Sequence, residues 1–479
     1  MSLEPLRRWE QRLGALPMPS PFLWIALAIA FLGFGILIGR ATGLDSAASL
    51  AASRAPLKLL VARAPTPSAP STTASVPPPL PETETTPEPS STPSTPPKSS
   101  KHAASPSPSP SAGSPSGSEE PSAGNKGSSP KGSKLSAVKH VFVVMLNDQP
   151  YATAFGPASP AHYLSGTLEK QGKLLERYYA VAHEELANGI ALLSGQGPTE
   201  ATAANCSVYA ELTQTGTEAG QVLGNGCVYP ASTGTLMSQL TAKHLAWKAY
   251  IEGIDEGAGT PPACAHPTVG AADPSAAPAS ASGTVYQTRR NPFVYFHSVT
   301  DSPACAANDV GINKLESDLS SEKRTPSFSY IAPGPCDDGN PTLCAPGKAS
   351  GMVAADDFLK KIVPKILSSK AYEHGGLLAI TIDQAPASGE YADSSSCCGQ
   401  PRFANLPAPT GAAALAGSGG GQVGLLLLSP FVKGGGLVQD TYNHFSLLAT
   451  IEQVFGLSRL GYAGLSEVKP LSPSLFSGG

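Results

Sequence analysis

Apolar residues follow three regimes along the chain. Residues 22–39, FLWIALAIAFLGFGILIG, form one uncharged apolar run. From about residue 64 to residue 134 apolar positions nearly vanish among Pro, Ser, Thr, Ala and Gly. Beyond Ser136 they return as short runs bounded by polar turns. Residues 139–146 read KHVFVVML, and similar runs occupy 246–251, 327–331, 377–382 and 423–428. Such Val/Leu/Ile-rich runs predict strands buried on both faces of a parallel sheet. Between them, residues 233–244, 355–367 and 446–455 place apolar side chains at helical spacing. Strands alternating with helices predict an α/β domain, a mostly parallel central sheet with helices on both faces. The Ala/Pro/Gly-rich stretch 253–283 reads as a surface excursion.

The first regime spans about 27 Å at ~1.5 Å per residue, enough for a bilayer core. Arg7, Arg8 and Arg12 precede it, which favours a cytoplasmic N-terminus, although Arg40, Arg54, Lys58 and Arg63 dilute the bias. A cleaved signal peptide is the alternative, with Ser46-Ala47-Ala48 as its cleavage site. The run is longer than the ~7–15 apolar residues of such peptides, so the expectation is an uncleaved signal anchor. The second regime, with stretches such as SPSPSPSAGSPSGS, cannot bury enough surface to offset its ordering entropy and reads as a disordered stalk. The expected organisation is a cytoplasmic tail over 1–21, a transmembrane helix over 22–39, a Pro/Ser/Thr-rich stalk over 40–135 and a globular domain over 136–479. This makes a single-pass cell-membrane protein with its globular domain outside the cytoplasm.

Composition narrows the function classes. With Lys+Arg 32 against Asp+Glu 36 in 479 residues, there is no basic excess for a nucleic-acid binder. Cys206, Cys227, Cys264, Cys305, Cys336, Cys344, Cys397 and Cys398 all lie beyond the stalk. An even number on one side of a membrane anchor predicts disulfides in an oxidising compartment. No CxxC pair occurs, and the adjacent Cys397-Cys398 are poorly spaced for zinc. Cys336 and Cys344 are near enough to close a small loop; the other pairings stay open.

In parallel sheets ligands bind outside the carboxyl ends of the strands. Asn147-Asp148 and Asp383-Gln384, each following an apolar run, are therefore the first candidates. Around them stand the ordered blocks HVFVVMLN…FGP, AHEELANGIALLSGQ, GCVYP, RRNPFVYFHS, FSYIAPGPCDDGNPTLC, LLAITIDQ and GLLLLSPFVKGG…YNHFSLLATIEQVFGLSRLGYA. Together these resemble the phosphoesterase family of acid phosphatases and bacterial phospholipases C, within the alkaline-phosphatase-like superfamily. The resemblance covers nearly the whole globular domain. It implies a central sheet sandwiched by helices, and a hydroxyl nucleophile activated by a divalent metal cation that carboxylates hold.

Measured against that family pattern, Asn147, His183, Asn188, Asp338, Asp383 and His444 stand, and others are substituted. Leu146 replaces a Glu, Glu185 the nucleophile, Asp337 and Asn340 two histidines, Pro341 an Asp, and Gln384 a Glu. If the domain is active, the resemblance implies Asn147, Asp338, Asp383 and His444 as metal ligands. Glu185, His183 and Asn188 would then stand at the catalytic positions in altered roles. Leu146 can ligate nothing, and Gln384 offers only a neutral oxygen. A carboxylate at Glu185 would repel a phosphate oxyanion by about 4 kcal/mol at ~4 Å and an effective dielectric near 20. The expectation is a hydrolase fold for phosphate esters with a degenerate site, taking a divalent metal cation if active and none otherwise. The alternative is a pseudoenzyme binding a phosphate-ester or envelope ligand in the same cleft. A rearranged site of Asp148, Glu184, Glu185, Asp337, Asp338 and Asp383 with a water nucleophile, and a purely structural surface module, are further readings. Arg289-Arg290 reads as a solvated turn, with contact to an anionic ligand as the alternative, and a His is the family counterpart of Arg290. His140 and His374 read as surface residues, and Gly419–Gly421 as a flexible loop.

Overall fold

The computed structural model describes residues 133–256, 262–276, 286–341, 347–408 and 419–477. The transmembrane, tail and stalk expectations, and Cys344, lie outside the described residues. Among those described, no helix is long and apolar enough to cross a membrane.

The strands of the central sheet, in chain order, are β1 (His140–Leu146), β2 (Lys173–Leu175), β3 (Trp247–Ile251), β4 (Asp309–Gly311), β5 (Phe328–Ala332), β6 (Gly376–Ile382), β7 (Leu425–Leu428) and β8 (Leu437–Val438). They lie in the spatial order β8-β2-β7-β6-β1-β5-β3-β4. All neighbouring pairs are parallel except those made by β7, which runs against both β6 and β2. The α/β, mostly parallel sheet is the one the apolar runs predict.

Every residue of β1, β5, β6 and β7 is buried. A strand buried along its whole length must be covered on both faces, and this is why these segments read as unbroken apolar runs. The principal helices are α1 (Glu185–Ser194), α2 (Leu236–Ala242), α3 (Gly351–Leu367), α4 (Lys370–Gly375) and α5 (His444–Phe455). α1 packs on α5 and α2, whereas α3 packs on α4 and the 162–168 turn. Helix α5 starts at a capping box, in which Asn443 accepts from the Ser446 N–H and Ser446 answers to the Asn443 N–H.

Three disulfides are defined: Cys206–Cys227, Cys264–Cys305 and the adjacent pair Cys397–Cys398. Cys336 is disulfide-bonded as well. Three local expectations are corrected. His140 is buried and its Nδ1 bonds the Pro326 carbonyl, because it opens a central strand. Residues 419–421 are clamped rather than loose: a Cβ on Gly420 would stand 2.0 Å from the Ala182 carbonyl oxygen. Only glycine permits that approach. Arg290 is 5% exposed and no part of a solvated turn.

Candidate functional site

The register of the sheet builds the site. β1 and β6 pair along their full length, from His140 opposite Gly376 to Leu146 opposite Ile382. Asn147 and Asp383, one residue further on, therefore leave the sheet side by side. On the other flank of β1, the loop after β5 returns so that the Asn147 N–H donates to the Asp338 carbonyl at 2.8 Å. Three adjacent parallel strands thus deliver Asn147, Asp338 and Asp383 to one carboxyl edge. Asn147 Nδ2 donates to Asp338 Oδ2 at 3.2 Å, and the Asp148 N–H to Asp383 Oδ1 at 3.1 Å.

Arg290 stands among these groups. Its Nη1 lies 3.2 Å from Asp338 Oδ2 and 3.5 Å from Asp383 Oδ2. Its Nε and Nη2 donate to the carbonyls of Pro333 and Met145. The flanking residues bolt the segment down. Thr288 is hydrogen-bonded to Asp273, and Asn291 Nδ2 donates to Asp309 Oδ2 at 2.8 Å. Burial pushes both Asp338 and Asp383 upward in pKa, and the guanidinium draws them back only in part. One guanidinium cannot compensate two fully buried carboxylates.

Glu185 opens α1, where the helix N-terminus favours a carboxylate. Burial alone would raise its pKa, but Arg289 and Arg290, with hydrogen bonds, hold it below the usual range. Its side chain is ion-paired with Arg289 and accepts from Asn205 Nδ2. The preceding Glu184 takes φ +71°, a backbone region that costs about 1–3 kcal/mol for a residue with a Cβ. Asn188 helps hold that turn: its Oδ1 accepts from the N–H groups of Val181 and Ala182, and its Nδ2 donates to the carbonyls of Ala182 and Glu184. The Glu184 N–H donates to Gln384 Oε1. Asn188 and Gln384 therefore position the start of α1.

A cavity of about 360 Å³ opens over this edge, lined by Asn147, Asp148, Glu184, Glu185, Arg289 and Gln384 among others. Asn340 also reaches it, and its N–H donates to Asp338 Oδ1. Asp337 turns away toward Glu252, whose pKa burial raises to about 7. His183 meets Ser394 at 2.9 Å, and burial lowers its pKa. Leu146 is fully buried within β1. Asp148 is raised to about 6 by burial and by the charges of Glu185 and Asp338.

Residues 144–458 match the sequence profile of the Phosphoesterase family. The chain belongs to that family. Solved structures similar to this Phosphoesterase-family chain include an alkaline phosphatase superfamily protein from Vibrio parahaemolyticus. It is 12% identical, with 70% of each chain covered and a TM-score of 0.39. The lipoteichoic acid synthase LtaP from Listeria monocytogenes is 11% identical, with 70% of this chain and 76% of that one covered and a TM-score of 0.35. The phosphonate monoester hydrolase SpPMH from Silicibacter pomeroyi is 10% identical, with 71% and 77% covered and a TM-score of 0.37. No curated protein matches the sequence.

The Phosphoesterase fold implies a divalent cation, and the residues at this edge do not fit one. Asp338 and Asp383 share the Arg290 guanidinium. His444 has both ring nitrogens engaged: Nε2 donates to the Asp383 carbonyl, so Nδ1 accepts from Tyr178 OH. Burial lowers its pKa to about 4, which keeps the ring neutral. Among the described residues, three or more ligand-type groups converge only at Cys264, Cys305 and Asp309, and those two cysteines are bonded to each other. Sequence reasoning missed Arg290 and Asn205. The only signal was that Arg290 stands where the family pattern carries a histidine.

Proposed function

We propose that this chain is a membrane-anchored, extracytoplasmic Phosphoesterase-family protein that has lost metal-dependent ester hydrolysis and uses the cleft to bind a ligand. One observation carries the reading: the Arg290 guanidinium bridges Asp338 and Asp383. A fixed organic cation supplies positive charge there, but it cannot activate a water or hydroxyl nucleophile as a metal does. The nucleophile position supports the same reading, since Glu185 is already paired with Arg289. The test is an assay of the full-length protein in detergent against generic phosphomonoesters and phosphodiesters, with and without added divalent cations. No turnover under any of these conditions is the expected result; cation-stimulated turnover that disappears in Asp383→Ala overturns it.

A second reading rests on Asp148, a cleft carboxyl raised to about 6. That value suits a general base near neutral pH, a role typically worth about 10²–10⁴-fold in rate. Metal-independent turnover abolished by Asp148→Asn would favour it over a binding role.

A further inference from the structure

Three carboxylates, Asp148, Glu184 and Glu185, line the cleft, and among the described lining residues the one cation is Arg289. That guanidinium is spent on Glu185. Beneath the floor, Arg290 is likewise committed to Asp338 and Asp383. The cleft therefore presents excess negative charge and no uncommitted cation among its described residues. A phosphate dianion would enter against that charge.

A separate observation concerns Asn147. Its residue is 4% exposed, and its Nδ2 donates to Asp338 Oδ2, which fixes the way the amide faces. Its Oδ1 is buried without a hydrogen-bond partner while the residue lines the cleft. A buried acceptor left unpaired costs about 1–3 kcal/mol, and a donor from a ligand removes that cost. The unpaired acceptor Asn147 Oδ1 is thus buried in the floor of the cleft, beside the carboxylates of Asp148 and Glu184, one oxygen of Glu184 already accepting from Asn205 Nδ2.

We propose that the cleft binds a primary ammonium group, with Asn147, Asp148 and Glu184 as its acceptors. An ammonium carries three N–H donors and one positive charge, which answers one neutral and two anionic acceptors. Among the described residues, no aromatic side chain lines the cavity. That argues against a quaternary ammonium, whose recognition relies on aromatic faces. A volume of about 360 Å³ leaves room for a polyhydroxylated body around the amine. The Gln384 carboxamide, whose Oε1 accepts the Glu184 N–H, reaches the same cavity, and its Nε2 suits a hydroxyl group. This inference rests on the binding role proposed above.

Calorimetric titration of the full-length protein in detergent tests it, with ethanolamine, glucosamine, N-acetylglucosamine, choline, inorganic phosphate and calcium as probes. Ethanolamine and glucosamine separate a headgroup amine from an amino sugar. Saturable binding of at least one of them is expected, with choline and N-acetylglucosamine at least tenfold weaker. Asp148→Asn and Glu184→Gln should each weaken it at least tenfold, with circular dichroism and thermal melting confirming that the variants fold. If either variant unfolds, weaker binding to wild type on raising salt to about 0.5 M serves instead, since a Debye length below ~5 Å weakens attraction to the part-buried carboxylates of Asp148 and Glu184. Tighter binding of phosphate or calcium, equal binding of choline or N-acetylglucosamine, or no amine binding overturns the proposal. In each of these cases the absence of metal-stimulated turnover would still support a non-catalytic domain, so the two readings fail separately.

Discussion

Arg290 and Asp338 form an ion pair 3.2 Å long in which neither side chain is more than 3% exposed. With Asp383 also 3.5 Å from the guanidinium, the arginine is the electrostatic centre of the sheet edge. Removing one member of a buried pair costs about 3–5 kcal/mol, because the other is left charged and unpaired. Arg290→Met should therefore lower unfolding free energy by about that amount in urea denaturation. Adding Asp338→Asn and Asp383→Asn should restore most of it. A fully stable Arg290→Met protein would show that the pair carries little.

His444 gives a pH signature. Its folded pKa, about 4, lies below the ordinary 6.5. The neutral ring is the form the folded state accommodates, so its contribution is intact above pH 6.5 and is lost as pH falls through 4. The difference of roughly 2.5 units corresponds to about 3 kcal/mol. Buried carboxyls with raised pKa values, such as Asp309 at about 7, act in the opposite sense. They favour the fold at low pH and lose that contribution as pH rises. The comparison must therefore be wild type against His444→Gln. The difference between their stabilities should shrink on acidification from pH 6.5 to 4, followed by denaturation at each pH.

The disulfides should differ in worth by the loop each closes. Cys206–Cys227 spans 21 residues and Cys264–Cys305 spans 41. Chain-entropy arguments assign about 3 and about 4 kcal/mol to them. Cys397–Cys398 joins neighbours and constrains almost no unfolded-chain entropy. Paired Cys→Ser variants should reproduce that ranking in chemical denaturation, with the adjacent pair costing least.

The substitutions at the edge should be reversible only together. Leu146→Glu, Glu185→Ser and Gln384→Glu rebuild the carboxylates and hydroxyl of the family pattern but leave Arg290 between Asp338 and Asp383. Equilibrium dialysis against zinc or manganese should show no binding by that triple variant. The same protein carrying Arg290→His in addition should bind.

Much of this architecture was legible because physics leaves few choices for it. A strand covered on both faces must be mostly apolar, so β1, β5, β6 and β7 appear as runs, and β3 does so around its half-buried Lys248. Their order places Asn147 and Asp383 at one edge. Two- and three-residue strands such as β2, β4 and β8 carry no pattern long enough to read. The polar hairpin Thr213–Glu218 with Gln221–Asn225 lacks an apolar face that would announce it. Arg290 was hidden for a different reason. Adjacent arginines ordinarily mark solvent, and only the three-dimensional meeting of segments more than forty residues apart, Asp338 and Asp383 among them, makes one of them a core residue. Asn205 was hidden likewise, since its bonds to Glu184 and Glu185 cross a loop.

Elemental analysis of the full-length protein, purified without chelator and then dialysed against zinc, manganese or calcium, puts the role of Arg290 most directly at risk. If the guanidinium stands in for the cation, the wild-type protein carries no stoichiometric metal in any of the three. A full equivalent of tightly held metal, released on Asp338→Asn or Asp383→Asn, would contradict it.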